Sequence, residues 1–233
     1  MSSVLKSTIL MTVLCATSSF SHPRAGFYVG AEAGWTKQKG TGTVTQRTPT
    51  HVFSSSFSPS SSGTIGMIFS GYESPLSPSF LLGSEIFAGM DSSKFKESDV
   101  PDPTEPDDVR INKLSQKYKT GISIIAGTPL SDIVTIYGKA ALLNSRFSLQ
   151  HQVVNSTLAG YSGSTQSKNL LGVEPGVRVK VALTHNLAAQ LDANYSFYQT
   201  WKTKNFSTVD GLNYCVKVSP RNFALIAGIS YKF

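Results

Sequence analysis

The chain is poor in cysteine, histidine and charge: it has two cysteines and four histidines in 233 residues, and only 15% of its residues are charged. Each shortage excludes something. Cys15 falls in an amino-terminal segment expected to be removed, so Cys215 has no partner within the chain and no disulfide framework can hold the fold. That thiol is either buried and inert or free in a loop. Beyond the amino terminus no segment approaches the ~20 apolar residues of a spanning helix, so any membrane residence must come from strands. The formal charge is +7, yet no basic run is interleaved with aromatics as a nucleic-acid groove requires. Nucleic acid is therefore not an expected partner, and the basic residues read as scattered lumen and rim charge.

What is present begins with an export signal. Met1 to Lys6 is short and positive, Ser7 to Thr17 is mostly apolar, and Ser19-Phe20-Ser21 offers small residues where a signal peptidase reads. Residues 1–21 are thus expected to be a cleaved signal peptide, with His22 opening a mature domain of residues 22–233. A lipoprotein reading of Cys15 fails because Leu14 stands where a small residue is wanted.

Period-two alternation then predicts eight strands near 26–36, 63–73, 79–90, 116–127, 133–147, 168–182, 187–200 and 221–233. Each is about as long as a tilted strand needs to cross a bilayer. The connections alternate in length. Residues 37–62, 91–115, 148–167 and 201–220 read as long polar loops, and Ser74 to Pro78, Thr128 to Asp132 and Thr184 to Asn186 as tight turns. Short turns in the periplasm and long loops outside are the outer-membrane pattern.

The charges sit on one face of these strands. In the sixth, Glu174, Arg178 and Lys180 oppose Leu171, Val173, Val177, Val179 and Val181; in the fourth, Lys117 and Lys119 oppose Tyr118, Ile122 and Ile124. Glu32, Glu85, Lys139, Asp192 and Lys232 fall on the same polar face of their own strands. A soluble sheet would alternate equally well, but Phe27, Trp35, Tyr195, Phe197, Tyr231 and Phe233 lie on the apolar face near strand ends, as interfacial girdles do. The expectation is an all-β, eight-stranded antiparallel up-and-down barrel crossing the outer membrane. Its interior is filled by side chains, so the ten polar-face residues should form a paired network with some positive excess. Inward glycines (Gly30, Gly34, Gly83, Gly121, Gly172, Gly176, Gly228) are expected to make room for long Arg and Lys side chains. Pro175 lies inside the sixth strand, where a bulge or a break toward the rim is the expected repair.

Three patches carry a family likeness. Gly26-Phe27-Tyr28-Val29-Gly30, Ala182-Leu183-Thr184-His185-Asn186-Leu187 and Gly228-Ile229-Ser230-Tyr231-Lys232-Phe233 resemble the small OmpA-like, opacity-type outer-membrane β-barrel proteins of Gram-negative envelopes. His185 departs from the family's usual aspartate, and Pro175 is a second departure. The resemblance implies a stand-alone barrel after which no peptidoglycan-binding domain follows. It also implies that Tyr231 and Phe233 form the signal read by the barrel assembly machinery.

Candidate chemistry is sparse. A lipid A deacylase needs an adjacent serine, histidine and carboxylate, whereas Ser148 and His151 lack that family's His-x-Ser arrangement, and His22, His51 and His185 read as terminal or loop residues. An omptin-like protease would need a larger barrel. Glu97, Asp99, Asp102, Glu105, Asp107 and Asp108 crowd one loop, but Pro101, Pro103 and Pro106 hold it extended and no calcium-loop spacing appears. No catalytic residue, metal or cofactor is expected. The reading is a non-enzymatic surface barrel acting through its loops in adhesion, host or environmental contact or envelope stability, with membrane lipid and lipopolysaccharide around it. The alternatives are a narrow porin-like channel and a lipid A-modifying hydrolase.

Overall fold

Alternation with a period of two runs through most of the chain, and each long segment pairs antiparallel with its neighbour until the last meets the first. The structure, a computed structural model, describes residues 25–47, 52–58, 60–98, 108–155, 161–203, 206–207 and 213–233. The expected signal peptide, His22, His51, Asp99, Asp102, Glu105 and Asp107 lie outside them. The strands in chain order are β1 (Gly26–Arg47), β2 (Val52–Phe57), β3 (Ser60–Ser77), β4 (Phe80–Asp91), β5 (Lys94–Ser98), β6 (Asp108–Pro129), β7 (Val134–Asn155), β8 (Tyr161–Ala182), β9 (Leu187–Tyr198), β10 (Trp201–Lys202), β11 (Phe206–Ser207) and β12 (Asn213–Lys232). Eight of them, β1, β3, β4, β6, β7, β8, β9 and β12, form a closed ring, and β12 seals it along β1 from Tyr28 opposite Lys232 to Arg47 opposite Asn213. The short β2, β5, β10 and β11 pair on the protruding ends of β1, β6 and β12.

At the turn end the expected strand limits hold within a few residues. Ser131 and Thr184 explain two of the turns: each side chain accepts the backbone N–H three residues on, from Val134 at 3.2 Å and from Leu187 at 3.0 Å. At the opposite, loop end the strands run much further than the sequence suggests. β1, β6, β7 and β8 each have 22 residues, because the Ser/Thr-rich and polar segments read as loops continue the ladders as hairpins. Backbone pairing is indifferent to whether the side chains are apolar.

Two irregularities differ from expectation. Pro175 causes no bulge: the ladder to β9 lapses at Glu174 and Pro175, inside the strand rather than toward the rim, and resumes in the same register, Val173 opposite Phe197 and Gly176 opposite Asn194, while pairing with β7 is continuous. A bulge falls instead on β6, where the register against β7 shifts between Gln116 and Tyr118, and a second shift lies beside the β3–β4 turn between Pro75 and Ser77. The one extra residue on β6 reverses the side-chain sense.

The outer wall is apolar through the turn-end half, exposing Phe27, Ile68, Ile86, Ile122, Leu142, Val177, Leu225 and Ile229. Of the seven glycines expected to make room for Arg and Lys side chains, Gly30, Gly121 and Gly172 make room for rings instead, while Gly34, Gly83, Gly176 and Gly228 lie against neighbouring backbone, Ile125, Asn194 or Glu32. Five glycines lie directly opposite an aromatic residue on the next strand: Gly30–Phe69, Gly71–Tyr28, Gly121–Phe87, Gly127–Tyr137 and Gly172–Tyr198. A Cβ on Gly121 would stand 2.6 Å from the Phe87 ring, and one on Gly30 would stand 2.2 Å from that of Phe69. The ring lies over the glycine and thus fits a lumen only a side chain wide. Gly121→Val should cost about 1–3 kcal/mol through overpacking. Urea unfolding of the refolded barrel measures it, and adding Phe87→Leu should recover part of the loss.

Candidate functional site

The lumen is the one place among the described residues where charged side chains of both signs converge, and strand register decides which of them meet. Arg178 of β8 lies beside Asp192 of β9 and faces Glu85 of β4 across the barrel. Its Nε and Nη2 donate to Asp192 at 2.7 and 2.8 Å, while Nη1 and Nη2 donate to the two oxygens of Glu85. Lys139 of β7 stands 3.8 Å from Glu85 and 3.6 Å from Asp192, which completes a buried quartet of two acids and two bases. Tyr28 and Ser123 donate hydroxyls to Glu85 at 2.9 and 3.3 Å. Bidentate geometry and filled lone pairs are what make such burial tolerable.

Smaller clusters flank the quartet. Toward the turns, Glu73 accepts from Lys180 at 3.2 Å, Lys232 at 2.9 Å and the Tyr137 hydroxyl at 3.1 Å. Toward the loop end, Glu174 pairs with Lys119, which has no exposed surface, and accepts the Ser196 hydroxyl. Glu32 accepts Gln190 Nε2 at 3.0 Å. Next comes a layer of amides and hydroxyls around one acid: Asp91 accepts from the Ser93 backbone and Asn222 at 2.7 and 3.1 Å, and Gln116 donates to Ser145 and Tyr198 at 3.2 Å each. Above it the interior turns apolar, with Leu114, Phe147, Leu149, Leu170, Trp201, Val216 and Val218 all buried. Phe147 packs edge-on to Tyr198 at 4.9 Å.

Nine of the ten polar-face residues named from the sequence enter the lumen: Glu32, Glu85, Lys119, Lys139, Glu174, Arg178, Lys180, Asp192 and Lys232. Lys117 does not. It is the extra residue of the β6 bulge and is exposed on the outer wall, so alternation counted straight through it gives the wrong face. Glu73 and Asp91 enter instead, and six described acids meet five described bases, which removes the expected positive excess. Glu73 could have been found as the one carboxylate ending the second strand. Asp91 could not, because position 91 reads as the start of a loop.

Tyr231 and Phe233 point outward, 47% and 74% exposed, with their rings 5.4 Å apart, and the Phe233 N–H donates to Phe27 at 3.0 Å. Cys215 is half-buried on β12, with Sγ 3.6 Å from the Thr203 carbonyl. Ser148 is buried against Ser167 at 3.2 Å, His151 pairs along β7 with Asn112 and Ser164, and His185 is exposed in its turn. Among the described residues no three His, Cys, Asp or Glu side chains form a metal-binding group, and no helix is long and apolar enough to cross a membrane.

Removing one member of the quartet strands its partners. Arg178→Met should lose about 3–5 kcal/mol, since a buried unpaired acid remains. Adding Glu85→Gln leaves Lys139 and Asp192 as a balanced pair and should restore a large part of it, read by urea unfolding in detergent.

The barrel resembles solved structures over nearly its whole length. A major outer membrane protein from Thermus thermophilus is 16% identical, with 90% of this chain and 99% of that chain covered and a TM-score of 0.52. The outer membrane protein OprG from Pseudomonas aeruginosa is 12% identical, with coverages of 90% and 97% and a TM-score of 0.51. Neisserial surface protein A is 22% identical, with coverages of 89% and 97% and a TM-score of 0.39. No curated protein matches the sequence significantly. The family model of the outer membrane protein beta-barrel domain matches residues 7–233, and with a closed eight-stranded ring beneath that match the chain belongs to this outer-membrane β-barrel family.

Proposed function

We propose that the protein is a sealed, non-enzymatic outer-membrane barrel that works through the surface its loop end presents outside the cell. The observation that carries this reading is the filled lumen. Arg178 is 2% exposed and Lys119 is not exposed at all. In a water-filled channel such side chains would be solvated, and the apolar layer of Phe147, Leu149, Trp201 and Val216 would not stand across the path. A 22-residue strand tilted by about 40° rises about 55 Å, roughly twice the apolar height of an outer membrane. The upper half of the wall therefore rises above the apolar layer of the bilayer as a paired platform suited to contact with a host or environmental surface, or to bracing the envelope.

Conductance separates this from a narrow channel. The refolded protein in planar bilayers should show no steady ionic current, and reproducible single-channel steps would overturn the sealed reading.

The outward Tyr231 and Phe233 pair offers an accessible aromatic end for the barrel assembly machinery to engage. Deleting Phe233 removes one backbone bond to β1 and a side chain that is 74% exposed. It should slow assembly in cells, followed by the heat-modifiable gel shift, while the stability of barrel refolded in detergent falls by less than about 1.5 kcal/mol, the scale of one hydrogen bond.

A further inference from the structure

The alternation that sends acids inward leaves the outer wall with one sign of charge. Among the residues whose side chains are described, every Asp and Glu lies in the lumen except Asp132, which is exposed in a turn at the opposite end. Just above the apolar band, the closing seam of β1 and β12 turns basic on its outer face. Lys39 and Arg221 are directly opposite each other and both exposed, with Lys37 one step below beside Phe223. Four residues along β12, Lys217 is directly opposite Lys202, and both are exposed. Like charges placed opposite one another across strands are destabilising. Two such pairs, one on each edge of β12 and facing no described acid, are a cost that a bound polyanion would remove.

The surroundings specify the anion. Lys37, Lys39, Tyr195, Arg221 and Phe223 line a shallow cleft of about 240 Å³ on the outer wall. At its base Trp35 packs edge-on to Phe223 at 6.3 Å, and Arg221 lies over the Phe197 ring at 6.0 Å. Aromatics in that position mark the boundary between acyl chains and headgroups, so the cations stand at headgroup height and open sideways to a lipid. Between the two cation pairs lies a patch of hydroxyls: Thr41 is opposite Ser219, whose Oγ is 2.8 Å from Oγ1 of Thr200. Four residues of strand separate the pairs by about 13 Å.

We infer that the outer face of β12, with β1 on one edge and β10 on the other, binds a phosphorylated glycolipid of the outer leaflet. One phosphate lies between Lys39 and Arg221, the sugar core lies along the Thr41 and Ser219 hydroxyls, a second phosphate lies at Lys202 and Lys217, and the acyl chains lie on the aromatic base. A soluble polyanion would have to enter the headgroup layer from the side, whereas a lipid already lies there. A phospholipid with one phosphate and no sugar fills only one pair. The inference rests on the proposed placement in the outer membrane with the loop end outside.

The test uses full-length protein refolded into zwitterionic vesicles and titrated with diphosphorylated lipid A, monophosphorylated lipid A or phosphatidylglycerol, with Trp35 and Trp201 fluorescence as the readout. Diphosphorylated lipid A should bind at least tenfold tighter than phosphatidylglycerol, with the monophosphorylated form between them. Lys39→Gln/Arg221→Gln should weaken diphosphorylated lipid A at least tenfold. In detergent without glycolipid the same variant should be as stable as the wild type or more so, because a repulsive pair is gone. Equal affinity of the variant and the wild type, or no preference for glycolipid over phosphatidylglycerol, overturns the inference. Placement is read separately in cells: an epitope inserted after Ser58 should be detected on intact cells and one after His185 only after permeabilisation, so a reversed pattern is distinguishable from a failed lipid titration.

Discussion

Closing eight strands into a ring forces every second side chain into a space about one side chain wide, and the rest of the molecule answers to that narrowness. Five of the inward rings fit where the facing residue has no side chain: Phe69, Phe87, Tyr28, Tyr137 and Tyr198 each lie over a glycine of the next strand. Charge enters with partners, as ion pairs or, for Glu32 and Asp91, as hydrogen bonds from amides, because each buried ion costs several kcal/mol to desolvate. Arg178, Lys139, Glu85 and Asp192 come from four different strands, and each is tolerable there only with an opposite charge beside it.

The same alternation organises the outside. With the described acids drawn into the lumen, the outward positions above the apolar band are left basic: β12 meets β1 with Arg221 against Lys39 and meets β10 with Lys217 against Lys202. A charge-balanced interior and a positive exterior are two consequences of one pattern. The proposed sealed lumen and the cationic rim suit each other in a membrane whose outer surface is anionic: on that proposal the barrel passes no solute through its centre and meets lipid phosphate around its wall.

Legibility in the sequence follows the range of the interaction. Strand existence, strand face and the two Ser/Thr turns are readable because period-two alternation and turn chemistry are local. The upper halves of β1, β6, β7 and β8 are not, since a Ser/Thr-rich stretch carries no signal separating a loop from a hairpin ladder. Lys117 is misplaced by alternation for a different reason. A bulge changes the sense of a strand without changing its composition, and it exists only relative to the partner strand β7.

By itself the sequence determined that this is an all-β chain with one apolar and one polar face per strand, because those properties repeat every second residue whatever the neighbours are. Only the tertiary structure decided which acid meets which base, which glycine receives which ring, and that a layer of amides and hydroxyls and then an apolar layer close the lumen above the charges. Those outcomes depend on register between strands far apart in the chain. Glu73 with Lys180 and Lys232, or Tyr28 with Glu85, are pairs that local alternation can orient inward but cannot match.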